Sequence, residues 1–319
     1  MKRTLLTCAL LIASVTPACA GATTTQKNSP AANAANAQGA KWDESRRREL
    51  EEQFAKIAAE AKGRVGVAAR VLETGEEAGL AAGEHYPMQS VYKLPIGMAV
   101  LRQVDEGKLK LDQRVRVEKS DFVRAGQYSP IRDENPKGAE LSVEELLRYA
   151  VSESDGTASD VLMKLAGGAD AVNRFLSEIK VGDIAVVSTE KEIGQHWETQ
   201  YRNWATPEGA INLLRALNER RGLSAESQSL MLKLLTESTP GAKRLKGQLP
   251  ANAVVAHKTG TSGTQNGVTA ATNDIGIITL PDGRHAAIAV FVSDSKADAE
   301  TREGVIAKIA KAVWERWGN

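Results

Sequence analysis

Gln89-Ser90-Val91-Tyr92-Lys93-Leu94-Pro95 sets a serine hydroxyl three residues ahead of a lysine amine. If the stretch opens a helix, that spacing puts both groups on one face. A serine hydroxyl is a poor nucleophile until a neighbour takes its proton, and an amine within hydrogen-bond reach can do so. Backbone N–H groups at a helix start, which lack intrahelical partners, add a place where negative charge can develop. On its own the pattern is weak and reads better as an N-cap serine followed by a solvated lysine, so the rest of the chain decides its meaning.

Working outward, the segment before Ser90 reads as one helix and a hairpin. Leu50, Phe54, Ile57 and Ala61 recur at helical spacing after Trp42. Arg64 to Glu73 is rich in valine and alanine, a Thr74-Gly75 turn follows, and a second extended run lies near Ala78 to Ala81. After Ser90 the pattern turns helical: Gly97 to Val104, a Ser142/Glu145 capping box opening a helix through Tyr149, then Ala158 to Leu165 and Ala169 to Ile179. Thr206-Pro207 opens another helix through Leu217, and Ser224 caps one through Leu235. Strand character returns at Ala253 to Thr261, Asp274 to Leu280 and His285 to Val292, the last two joined by Pro281-Asp282-Gly283. A final helix carries Ile306, Ile309, Val313 and Trp317 on one face. Strands at both chain ends with helices between predict a mixed α and β fold. In it an antiparallel sheet of about five strands, flanked by helices, sits beside a mainly helical lobe, with a site in the cleft between.

The chain has 319 residues, with 41 Lys+Arg against 40 Asp+Glu, so a nucleic-acid partner is not expected. Met1-Lys2-Arg3, the apolar run Leu5 to Val15 and Ala18-Cys19-Ala20 before Gly21 read as an export signal, too short to span a bilayer. Cleavage after Ala20 would remove Cys8 and Cys19 and with them disulfide and thiolate chemistry. Lipid attachment at Cys19 is the competing reading, disfavoured by Thr16-Pro17-Ala18. The expected organisation is a signal peptide at 1–20, a polar linker at 21–40 and one catalytic domain at 41–319. Its sheet lobe falls at 41–85 and 240–319, and its helical lobe at 86–239. His85, His196, His257 and His285 show no paired ligand spacing, and glycine-rich phosphate motifs are absent, so neither metal nor cofactor is expected.

Two further segments give Ser90 its meaning: Ser154-Asp155-Gly156 at a helix junction, and Lys258-Thr259-Gly260-Thr261 on a strand. Ser-x-x-Lys, Ser-Asp-Asn and Lys-Thr-Gly form the signature set of class A β-lactamases and penicillin-binding proteins. From Trp42 to Asn319 the chain resembles a class A serine β-lactamase, with the β-lactamase/D,D-peptidase-like fold that this implies. Acyl transfer to serine needs a base, an oxyanion site, a proton donor for the leaving nitrogen and a grip on the substrate's anion. Lys93 is the candidate base, Ser154 the proton relay, and Lys258 a positive charge beside it. The resemblance implies an oxyanion hole from the backbone N–H groups of Ser90 and Thr261, with Thr259 and Thr261 bonding the substrate carboxylate beside Gly260.

Releasing the acyl group to water needs a second base, for which a carboxylate is suited. The candidates are Glu190, Glu192 and Glu198; the stretch Glu190 to Trp204 resembles the Ω-loop of the PER-type branch, which selects Glu190 and leaves Glu192 as fallback. Two positions depart from the common pattern: Gly156 stands where an amide side chain is usual, and Gly194 where most class A enzymes have an asparagine. Thr269-Ala270-Ala271-Thr272-Asn273 lacks the arginine most members place there, and Arg244 matches an alternative position that reaches the same carboxylate. Tyr128 matches the aromatic at the cleft mouth. The resemblance therefore implies an exported, monomeric, metal-independent enzyme that opens β-lactams through a serine acyl-enzyme and confers resistance. A penicillin-sensitive D,D-peptidase and a weakly catalytic penicillin-binding sensor domain are the rival readings.

Overall fold

The computed structural model describes residues 42–318. The expectations for the leader, the 21–40 linker, Cys8 and Cys19 lie outside the described residues. Valine and alanine form the predicted hairpin of β1 (Arg64–Val71) and β2 (Glu77–Leu80), turning where Gly75 takes φ +78°. β3 (Val255–Thr261), β4 (Val268–Thr279) and β5 (His285–Ser295) complete an antiparallel sheet in the order β2-β1-β5-β4-β3, with Thr264–Gln265 paired to β4. The expected five strands from both chain ends are present. β4 begins at Val268 rather than at Asp274, because its first half carries buried polar residues, Thr269, Thr272 and Asn273, that hide the strand pattern.

The sheet's period of two divides the interior. Val67, Ala69 and Val71 face one core, and Ala68, between them, faces the other. The helices of nine residues or more are α1 (Glu44–Ala58), α2 (Lys93–Asp105), α3 (Val143–Val151), α4 (Gly156–Ala166), α5 (Ala169–Glu178), α6 (Pro207–Asn218), α7 (Ala225–Thr236) and α8 (Ala299–Trp317). α1 and α8 cover the first core, α8 burying Ile306, Ile309, Val313 and Trp317 as its spacing predicts. The Ser142/Glu145 box opens α3, and Thr206 and Ser224 cap α6 and α7. α6 lies against β1 and β5, so the second face of the sheet is covered from the middle of the chain.

α2 is buried on every side from Lys93 to Leu101, which makes it the central helix of the second core. Three small pairings were not legible as strands, being two to four residues long. Tyr86–Pro87 and Ile184–Ala185 each pair with Trp204–Ala205, and Arg114–Val117 pairs with Ala139–Ser142. No helix among the described residues is long and apolar enough to cross a membrane.

Candidate active site

The turn that carries Ser90 is clamped before α2 begins. Gln89–Tyr92 form one 3-10 turn, in which residues three apart eclipse, so Ser90 and Lys93 stay aligned although α2 starts only at Lys93. Gln89 sits at φ +47°, a conformation uncommon for a side-chain residue, and its Nε2 donates to Gln200 Oε1 at 2.8 Å. Asn273 Nδ2 donates to the carbonyls of Pro87 (2.8 Å) and Met88 (3.2 Å), tying the turn to β4. Gly260 explains itself here: a Cβ would collide with the Met88 carbonyl oxygen, so glycine lets β3 approach backbone to backbone.

Around this turn the structure gathers the residues the sequence singled out. Lys93 is buried; its Nζ donates to the Ser154 carbonyl at 2.7 Å and lies 3.5 Å from Glu190 Oε2. Ser154 is held at φ +64° by Asp155 beside it, whose carboxylate caps α4 at Ala158 N (2.9 Å) and also accepts from Ile131 N (2.8 Å) and Ser129 Oγ. Lys258, on β3, is buried and donates to Ser154 Oγ at 2.9 Å. Burial, then the charge of Lys93, push its amine well below the ordinary lysine range, while Asp274 and Glu190 oppose this. Lys258 thus holds its proton less firmly than a solvated lysine does.

Of the three candidate glutamates only Glu190 lines the cleft. Glu192 accepts from Thr189 N at 2.8 Å as the capping box of the short helix Glu190–Ile193, and Glu198 is exposed. A buried phenol and a half-buried carboxylate that the sequence does not flag hold Glu190. Tyr92 OH donates to its Oε2 at 2.8 Å, and burial with the Glu190 charge keeps that phenol well above its usual range, hence a neutral donor. Asp160 on α4 accepts the backbone N–H of Glu190 at 2.7 Å and of Lys191 at 3.0 Å. The one signal for Asp160 is its place inside a helix, where aspartate is unfavourable without a task.

Thr259, Thr261 and Tyr128 line the same cleft of about 780 Å³, with Tyr128 exposed at its mouth. Arg244 lies behind Thr261: it donates to Thr261 Oγ1 at 2.8 Å and to the carbonyls of Gly260 (3.2 Å) and Asn273 (3.0 Å), and pairs with Glu303 at 3.1 Å. Gly156 also lines up with Glu190, since a Cβ there would stand 2.7 Å from Glu190 Cγ. Behind Lys258, on the opposite side of β3, buried His257 Nδ1 pairs with Asp274 at 2.9 Å. Among the described residues no group of three or more His, Cys, Asp and Glu could hold a metal.

Two lysines, a serine and a glutamate joined in this way in the cleft that Ser90 lines invite comparison with known proteins, and residues 49–317 match the β-lactamase enzyme family. The chain belongs to that family. Within it, the chain is 46% identical over 237 residues to β-lactamase VEB-1 of Pseudomonas aeruginosa, covering 74% of this chain and 79% of that protein. It is 42% identical to the extended-spectrum β-lactamase PER-1 of the same organism, covering 83% of this chain and 86% of that protein. The solved structure of TLA-3 extended-spectrum β-lactamase superposes with a TM-score of 0.83 at 41% identity, over 86% of this chain and 100% of that one. The class A, PER-type resemblance and the β-lactamase fold stand on these relatives.

Proposed function

We propose that this family member hydrolyses the β-lactam amide through an acyl-enzyme on Ser90 and so confers β-lactam resistance. Lys93 takes the Ser90 proton as the hydroxyl oxygen attacks the lactam carbonyl carbon. The backbone N–H groups of Ser90 and Thr261 receive the oxyanion, the largest single aid such a reaction usually has. The C–N bond then breaks, and Ser154, bonded to Lys258, passes a proton to the leaving nitrogen. Thr259 and Thr261 hold the substrate carboxylate, and Tyr128 borders the acyl group. Arg244 and Gly156, which do not line the cleft, act from behind it: Arg244 orients the Thr261 hydroxyl and adds positive charge, and Gly156 makes room for Glu190.

In the second half, Glu190 removes a proton from water, the hydroxide attacks the acyl carbon, and Ser90 leaves and is reprotonated. The observation that carries this reading is the placement of Glu190 against both Lys93 (3.5 Å) and Tyr92 (2.8 Å) in the Ser90 cleft. A sensor domain needs the first half of the reaction only, and a D,D-peptidase, which releases its own peptide acyl group, needs no base that clears a β-lactam acyl group with water. The Met1-to-Ala20 segment supports export to the periplasm or beyond.

The test follows a chromogenic cephalosporin with wild type, Ser90→Ala and Glu190→Gln. Rapid wild-type turnover, none in Ser90→Ala and a trapped acyl-enzyme in Glu190→Gln are expected. Normal turnover by Glu190→Gln would remove Glu190 from its role, and a wild type that only acylates would end the hydrolase reading.

A further inference from the structure

Gly194 lies on the loop beside Glu190, and the space over it is filled. A Cβ on Gly194 would stand 2.5 Å from Gln127 Oε1 and 2.8 Å from its Nε2, closer than real Cβ atoms come. The Gln127 side chain therefore occupies the volume that any side chain at 194 would enter. It is also bonded at both ends: Nε2 donates to the Glu190 carbonyl at 2.5 Å, and Oε1 accepts from Arg124 N at 3.2 Å. The two partners fix the orientation of the amide, since a carbonyl needs the NH2 and a backbone N–H needs the oxygen. Arg124 in turn donates from its guanidinium to the Gly194 carbonyl. Gln127 and Gly194 both line the cleft.

We propose that Gln127 is a positioning residue for deacylation, holding the Glu190 backbone from the space that the missing side chain of Gly194 opens to it. The Glu190 main chain is then gripped at both polar groups: Asp160 accepts from its N–H, and Gln127 donates to its C=O. With Tyr92 on the carboxylate itself, three contacts from three separate elements set where Glu190 can take a proton from water. Gly156 makes room for the Glu190 side chain and Gly194 for the Gln127 side chain, so the two departures from the usual motif serve one arrangement. A misplacement of about 1 Å at a reacting group can cost on the order of a hundredfold in rate, so a contact at 2.5 Å to the base's own backbone is well placed to matter.

The inference rests on Glu190 acting as the deacylating base, and the experiment separates the two. Acylation and deacylation rates are measured by stopped flow, with the acyl-enzyme followed by intact mass, for Gln127→Ala, Gln127→Glu, Gly194→Ala and the Gln127→Ala/Gly194→Ala pair. Gln127→Glu keeps the shape and exchanges the donor for a charged acceptor, so it probes the polar contact to the Glu190 carbonyl and not packing. Expected are a roughly tenfold or larger fall in deacylation for Gln127→Ala and Gln127→Glu, an acylation rate within about twofold of wild type, and a visible steady-state acyl-enzyme. Gly194→Ala is expected to displace Gln127 and give the same defect, and the double variant to be no worse than either single. Unchanged deacylation in Gln127→Glu, or additive losses in the double variant, would overturn the proposal even where Glu190→Gln traps the acyl-enzyme. If Glu190→Gln itself turns over normally, the reading beneath it fails first.

Discussion

Replacing Asp160 by asparagine should flatten a pH dependence that the wild-type fold carries. Asp160 is largely enclosed between α4 and the Glu190 loop, and burial pushes its carboxyl from 3.8 up to about 7. The two backbone N–H groups it accepts pull the other way, the Glu190 charge adds to the rise, and Lys93 opposes it. A rise of that size corresponds to about 4 kcal/mol favouring the protonated acid in the native chain relative to the unfolded one. The sign follows from which state holds the proton. Below about pH 4 both states are protonated and the contribution is fully present; as pH rises through about 7 the native carboxyl must ionise in its enclosure and the contribution is lost. In a domain of this size 1 kcal/mol moves Tm by roughly 2 °C, so Asp160 alone should lower Tm by about 8 °C between pH 4 and pH 8. Calorimetric Tm is measured for wild type and Asp160→Asn across that window, and only the change in their difference is read, because the offset contains the altered capping geometry. The difference should fall by several degrees as pH rises. A difference that stays flat, or one that grows, would refute the account of Asp160 as a buried acid that the native state prefers neutral.

Other substitutions test other contacts. Gly260→Ala should cost about 1–3 kcal/mol and most activity, because its Cβ meets the Met88 carbonyl and the collision must move the nucleophile turn; Tm and turnover report both. Arg244→Ala should raise KM for β-lactams bearing the carboxylate and, by leaving Glu303 without its ion pair, cost about 3 kcal/mol. Adding Glu303→Ala should recover stability in urea titration without recovering KM. Asp274→Asn removes a charge that supports the protonated form of Lys258, so the alkaline limb of kcat/KM should move to lower pH. An unmoved limb would mean that the Lys258 proton is not used in the rate-limiting step.

What the sequence disclosed and what it hid divide along chain distance. Ser90 and Lys93 are three apart and Lys258, Thr259, Gly260 and Thr261 are consecutive, so local spacing announces them. The helix caps at Ser142, Thr206 and Ser224 are legible for the same reason. Tyr92, Asp160 and Gln127 act on Glu190 across 98, 30 and 63 positions, and nothing local to them states that they meet it. Gly156 and Gly194 read from sequence as missing side chains. In space they are volumes already taken, by Glu190 and by Gln127, which no motif comparison could tell. The first half of β4 is not legible because a polar residue buried with partners, such as Asn273, looks the same in sequence as one exposed to water.

The backbone-to-backbone approach at Gly260 sets how this protein can change. Because β3 meets the nucleophile turn without intervening side chains, and Asn273 stitches both to β4, the gap between Ser90 and Thr261 is a dimension of the scaffold. A drifting sequence cannot tune that gap by small steps, since the smallest step, a methyl group, already jams it. Variation is left to the rim, where Tyr128, His196 and Gln265 border the cleft and touch none of the proton-carrying contacts. Adaptation to a new antibiotic should accordingly begin at the rim, with the chemistry carried along unaltered.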